Sequence, residues 1–385
     1  KPTDLTKFSV IVPFMDVSFT ASGGFKRDNL VIPPYADKLW YNYWYWDEGF
    51  VQWKEDLFLI QAGVKQHSIG PGNIYKLFVD EKGFSYPSYF FRNYGKLRVE
   101  ILWGGLRLLE NDSKPVKGFN YRSIIYSPMH GLEIAYEESI LYLNRFFDPY
   151  YFFIPIPVPA IQEFWHLNAP WGYPTSKLDD NSMIGAWVRY TGDSYSLYSE
   201  ILIDDINMNR FLRPESFQNP DKIAFLFGFS GKSGPYKLTF EVAGASAFTF
   251  QRISSNKPYE YVYFENSNFP IEKNMIGYKH GENNIACSIA LEYSNNNWLI
   301  SATYEGLIYG TRTPDKPWHG GTTPSGTHWL VGDVKSRYSF SARVAYTFKN
   351  LIQELGELTT GLRFGFSGDK IFIGLDLSTT FLINQ

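Results

Sequence analysis

Along most of this chain apolar and polar residues alternate with a period of two, the spacing of side chains on a β-strand with one greasy and one wet face. Within 336–349 the residues Tyr338, Phe340, Ala342, Val344, Tyr346 and Phe348 are apolar, and Arg337, Ser339, Ser341, Arg343, Ala345, Thr347 and Lys349 stand between them. With 44% hydrophobic residues overall, six chosen positions would all be apolar by chance only about 1% of the time. The pattern returns in Leu97–Val99–Ile101–Trp103, Leu132–Ile134–Tyr136, Leu238–Phe240–Val242, Trp298–Ile300–Ala302–Tyr304 and Ile371–Ile373–Leu375–Leu377. Turn sequences separate the runs: TGDS at 191–194, SGKSGP at 230–235, SNNN at 294–297 and SGDK at 367–370. The expectation is an all-β chain of about 16–18 strands, many of them about 9–14 residues long. A tilted membrane strand needs about 9–11 residues, whereas strands of globular proteins average about 5–6.

A soluble sandwich and a membrane barrel both alternate, so the position of the charges has to separate them. In the clear strands they fall on one phase: Arg98, Glu100, Glu133, Glu137, Glu200, Asp204, Glu241, Glu305, Arg337, Arg343, Arg363 and Asp376. A Lys or Arg on a lipid face near mid-bilayer costs about 2–4 kcal/mol, so a membrane barrel must keep these groups inside. The expectation is therefore a single-domain transmembrane antiparallel β-barrel over 1–385, its charged phase lining the lumen. Those charges either pair with one another and hold the barrel's shape or contact a solute or glycan. Aromatics at 18% suit a membrane boundary, where an apolar ring with a polar tip is at home, but a sugar-binding soluble β enzyme shares that composition.

Other classes lack their markers. With a net charge of −3 and no basic run, nucleic acid is not an expected partner. One cysteine, Cys287, excludes an internal disulfide and a CxxC site. No stretch of about 18 apolar residues exists; the most apolar long segment, 149–162, carries four prolines and cannot be one continuous helix. The six histidines occur in no metal spacing, and neither a GxSxG elbow nor a phosphate loop is present, so no enzyme, cofactor or metal is expected. Asp204–Asp205 is adjacent on a strand, which turns the two carboxylates to opposite faces; at a strand end they cap backbone or meet an arginine. Asp179–Asp180–Asn181 reads as turn chemistry ahead of a calcium site.

Five segments, taken in order, carry a resemblance. They are VKQHSIGPGNIYKLFVD with SYPSYFFRNYGKLRVEILWGG (64–105), YRSIIYSPMHGLEIAYEESILYLNR (121–145), LDDNSMIGAWVRYTGDSYSLYSEILIDDI (178–206) and NSNFPIEKNMIGYKHGENN (266–284). Together they resemble the Wzi-type capsule-assembly outer-membrane proteins, above all in Asp180–Asn181, a strand, then Glu200-x-x-x-Asp204-Asp205-Ile206. The resemblance implies a closed 18-stranded barrel in the bacterial outer membrane with loops folded over or into a narrow lumen. It also implies a non-enzymatic, lectin-like role in holding capsule-like surface polysaccharide, with membrane lipid as the other partner. The chain departs from the best-known members in that nothing helical precedes its first strands.

Longer connections are expected near 148–181, 266–283 and 311–333, and the segment 259–264 is either a further strand or none. Exposed aromatics stack on sugar faces, which directs attention to Trp165, Trp171, Trp318 and Trp329 in the two most aromatic loops; packing those loops into a lid is the alternative role. Two other functions stay open at this point: a passive diffusion pore or structural envelope barrel of unknown oligomeric state, and a soluble carbohydrate enzyme.

Overall fold

The computed structural model describes residues 4–26, 43–107, 116–162, 180–206, 219–251, 261–263, 270–312, 326–352, 355–368 and 370–381. Strands dominate: β1 (Asp4–Phe14), β2 (Val17–Lys26), β3 (Tyr43–Lys54), β4 (Phe58–Lys65), β5 (Tyr86–Asn93), β6 (Leu97–Arg107), β7 (Lys117–Met129), β8 (Leu132–Leu143) and β9 (Asn181–Thr191). They continue as β10 (Tyr195–Asp205), β11 (Pro220–Ser233), β12 (Tyr236–Ala245), β13 (Asn284–Asn295), β14 (Trp298–Gly310), β15 (Gly326–Thr327), β16 (Val334–Ile352), β17 (Leu355–Ser367) and β18 (Lys370–Phe381). The eighteen form one sheet. Each long strand pairs antiparallel with the next, β14 passing directly to β16, while the two residues of β15 pair parallel with Pro220 and Asp221 of β11. No ladder joins β1 to β18 among the described residues.

Short hairpins at 15–16, 55–57, 94–96, 130–131, 192–194, 234–235 and 296–297 gather at one end of the sheet. Gly131 makes one of them possible: its φ is +78°, and a Cβ there would lie 2.2 Å from the Thr191 carbonyl oxygen. The 367–370 turn is equally short yet lies at the opposite, long-loop end. Register explains this: Ser339, near the start of β16, faces Ser367, so the turn that follows Ser367 is level with the beginning of β16.

Alternation sorts the side chains as the charge pattern requires. On one face Phe227, Leu291, Ile300, Tyr304 and Leu362 are exposed; on the other Leu102, Tyr121, Leu202, Leu226 and Ala243 are buried. What buries them is the chain's own interior. Phe78 packs on Tyr121 of β7, His67 meets Ser88 of β5 at 2.9 Å, and Glu272 pairs with Arg337 of β16. One sheet whose inner face touches the same internal segments from β5 round to β16 is wrapped about them. Of the 259–264 segment only 261–263 lie within the described residues, and these three form no wall strand. Val262 makes a lone bridge to Met275 inside, with Tyr261, Val262 and Tyr263 all buried.

Candidate functional site

The segment 66–85, between β4 and β5, folds inward. Gly72 makes its turn: a Cβ there would sit 2.0 Å from the Tyr75 carbonyl oxygen. The turn leaves three successive N–H groups pointing the same way, and Glu241 of β12 meets them all. Its carboxylate accepts from the amides of Asn73 (2.5 Å), Ile74 (3.0 Å) and Tyr75 (2.8 Å), and from the Tyr198 hydroxyl (2.6 Å). A carboxylate against consecutive amides is an anion in a nest, stronger than neutral hydrogen bonds because one partner is charged.

On the far side of the segment the Tyr75 hydroxyl donates to Glu305 of β14 at 2.8 Å. Lys279 reaches the same carboxylate at 2.5 Å, and His280 Nε2 lies 3.2 Å from it. Burial holds the His280 imidazole below its ordinary value despite the pull of Glu305. Arg189 of β9 donates to the Pro71 carbonyl, and Lys76 to that of Gly70 at 2.8 Å. Segments 261–263 and 270–283 complete the filling: Asp80 N–H donates to Ile276 O at 2.8 Å and Tyr261 O–H to Phe78 O at 2.6 Å.

Nearer the long-loop end, two carboxylates hold the 246–251 turn. Asp204 accepts from Phe250 N–H at 2.8 Å and Glu282 accepts from Phe248 N–H. Both phenylalanines have left-handed backbones (φ +76° and +69°), which β-carbon sterics make costly unless neighbours hold them. Arg312 pairs with Glu282 and lies 3.8 Å over the Phe248 ring. Burial outweighs Arg312 and the Phe248 amide, and pushes the Glu282 carboxyl up to about 8.

The remaining inward charges form chains or faces. Arg92 meets Glu100 at 2.8 Å; Arg98 meets Glu100 at 3.4 Å and Glu133 at 2.9 Å. Glu137 accepts from Tyr121 O–H at 2.9 Å and lies against Glu200, over which Gly70 passes. Arg343 stands in register with Arg363 across β16 and β17. Asp376 falls in β18, but its side chain lies outside the described residues, as do Trp165, Trp171, Trp318 and Asp179 entirely. Trp329 is half-buried, its ring 5.7 Å from that of Phe225 on the apolar phase of β11. The ladder shifts register between Ile203 and Asp205, so the alternation that would turn Asp204 and Asp205 to opposite faces is interrupted there, and Asp205 lies 3.9 Å from Lys222. Asp180 is a junction, held by Arg145 and by the Tyr151 hydroxyl, both at 2.7 Å. Sequence reading missed Glu282, Lys279 and His280, which lie off the alternating strands and carry no periodic signal.

Filling of this kind makes an anchored interior whose charges act on backbone amides and on one another. Among the described residues no three His, Cys, Asp or Glu side chains converge as a metal site. An apolar outer face, a wet inner one and long antiparallel strands define a bacterial outer-membrane β-barrel. Solved structures give the same class: the Escherichia coli outer-membrane protein Wzi, described as involved in group 1 capsule assembly and as a carbohydrate-binding β-barrel, superposes with a TM-score of 0.56 at 11% identity, over 98% of this chain and 79% of that one. OpdK from Pseudomonas aeruginosa gives a TM-score of 0.45 at 10% identity, over 97% and 90%. OccAB4 from Acinetobacter baumannii gives 0.44 at 11%, over 97% and 86%. At these identities the likeness is one of fold. No protein-family model and no curated protein matches the chain.

Proposed function

We propose that this barrel is a Wzi-type, non-enzymatic protein that holds capsule-like polysaccharide at the cell surface, as a lectin does. The observation that carries the reading is the packed interior: 66–85, 261–263 and 270–283 occupy the space a wide pore would need, and Glu241 and Glu305 fasten them. Filling trades permeation for a rigid platform, and the likeness of fold is to a carbohydrate-binding barrel. The glycan contacts would come from the connections that carry Trp165, Trp171 and Trp318, with these as stacking residues, while Trp329, packed on Phe225 of the apolar phase, suits the role of holding its loop down. Binding of the detergent-solubilised protein to an array of bacterial polysaccharides tests this. Retention of at least one surface polysaccharide is expected, and no binding across the array overturns it.

One observation favours a second reading, a diffusion pore. Among the described residues the filling does not reach the whole wall: Ser341, Arg363 and Ser367 are exposed on the inward phase of β16 and β17. Planar-bilayer recording separates the two, since a pore gives steady conductance and a filled platform almost none.

A further inference from the structure

The proline-rich segment 148–162, between β8 and β9, lies on the opposite side of the wall from the filling. Among the described residues it packs on the outward phase of the wall. Ile140 and Tyr142 of β8 are buried against Tyr151, Val158 and Ile161, with the Tyr142 and Tyr151 rings stacked at 5.8 Å. Tyr89 of β5 meets Phe152 at 5.9 Å, and Trp103 Nε1 of β6 donates to Phe146 O at 2.7 Å. Gly118 of β7 permits the approach: a Cβ there would come within 2.4 Å of Phe146 O and 2.2 Å of the Tyr142 ring. Arg145, joined to Asp148 and Asp180 at 2.7 Å each, ties the beginning of the strap to the residue that precedes β9.

Beneath the strap is an ion pair on the face that should hold none. Arg122 and Glu138 are in register across β7 and β8, on the phase of Ile124, Tyr126, Ile134 and Tyr136. The Arg122 guanidinium meets the Glu138 carboxylate and donates to the carbonyls of Ile154 and Ile156; Glu138 also accepts from Val158 N–H at 2.9 Å. Arg122 lies eight residues from His130 in the hairpin, about 20 Å up a tilted strand and therefore within an apolar band about 25 Å tall.

The strap's own outer surface is built for the same surroundings. From Pro149 to Ile161 it has no charged residue. Phe153 is 69% exposed, Phe146 48% and Ile156 36%. Its four prolines have no N–H to satisfy, and the amides of Tyr150, Phe152, Ile154, Ala160 and Ile161 are spent on Asp148, Tyr150 and Pro157. Water would make such economy unnecessary; hydrocarbon demands it.

We infer that the strap is immersed in lipid at the acyl-chain boundary of the leaflet on the long-loop side, covering the Arg122–Glu138 pair and restoring the apolar band over β5–β9. The inference stands apart from the polysaccharide reading, because the strap is outside the wall. To test it, a nitroxide label is placed at Phe153→Cys or Ile156→Cys in a Cys287→Ala background, with the folded protein in phospholipid vesicles. Ile300→Cys on the outward wall and Asp193→Cys in a hairpin are the references, and heat-modifiable electrophoretic mobility confirms that each variant is folded. Labels at 153 and 156 should be relaxed by oxygen over a water-soluble nickel chelate to the same degree as the label at 300. Nickel access equal to that at 193 overturns the inference. So does protection from both reagents, with label-to-label broadening in that case assigning the face to a second copy of the chain.

Discussion

Glu241 accepts from three consecutive amides that lie 166–168 residues away in the chain. Its place on the inward phase is legible in the alternation of Leu238, Phe240 and Val242 around it; its partners are not, because they come from a loop with no periodicity. Glu282 is the harder case, a carboxyl outside every strand run. Burial lifts it from an ordinary 4.5 to about 8, so the folded chain binds more protons there than the unfolded chain between those values. Stability therefore falls as pH rises through that window, the ionised group being the one that burial penalises. The 246–251 turn should accordingly lose protection at high pH: amide exchange of Phe248 is expected to quicken from pH 6 to pH 9 beyond its intrinsic base catalysis. Glu282→Gln should remove the excess, and an unchanged pH profile in that variant would refute the assignment.

At the scale of elements, the strap and the strands beneath it depend on each other. Arg122 and Glu138 break the rule that charges keep to the inner phase, and the break is affordable because 148–162 covers both. Removing one partner strands the other charge away from water, a loss of about 3–5 kcal/mol for buried pairs. Arg122→Leu should therefore destabilise the folded barrel by roughly that amount in urea titrations, and adding Glu138→Gln should recover part of it. A double variant no more stable than the single one would show that the pair is not coupled. The four prolines and the lack of charge in 149–162 are plain in the sequence and exclude a long helix. Which side of the wall the segment lies on is not, since outward and inward packing both favour apolar residues.

For the whole molecule, two faces of one sheet meet two different media. Leu291, 55% exposed on the outward phase of β13, and Thr303, on the inward phase of β14 beside Glu305, provide the contrast. Leu291→Arg should cost about 2–4 kcal/mol and lower folding yield in lipid vesicles, as a charge in hydrocarbon does. Thr303→Arg should stay within about 1 kcal/mol, its cation reaching water and a carboxylate. Equal losses, measured by the heat-modifiable fraction after refolding, would argue that both faces are wet and that the sheet does not span a membrane.

Periodicity by itself set out the strands and their phases, because both are local properties of residues two apart in the chain, and the one-sided placing of the charges pointed to a membrane. It also separated inner charges from outer rings before any contact was known. Tertiary structure alone decided that 66–85 turns inward onto Glu241 and Glu305 while 148–162 turns outward onto Arg122 and Glu138. Both are connections from the long-loop end with no repeat to read, and their fate rests on hydrogen bonds and packing to residues 166–168 positions away for Glu241 and 20–34 for Arg122 and Glu138.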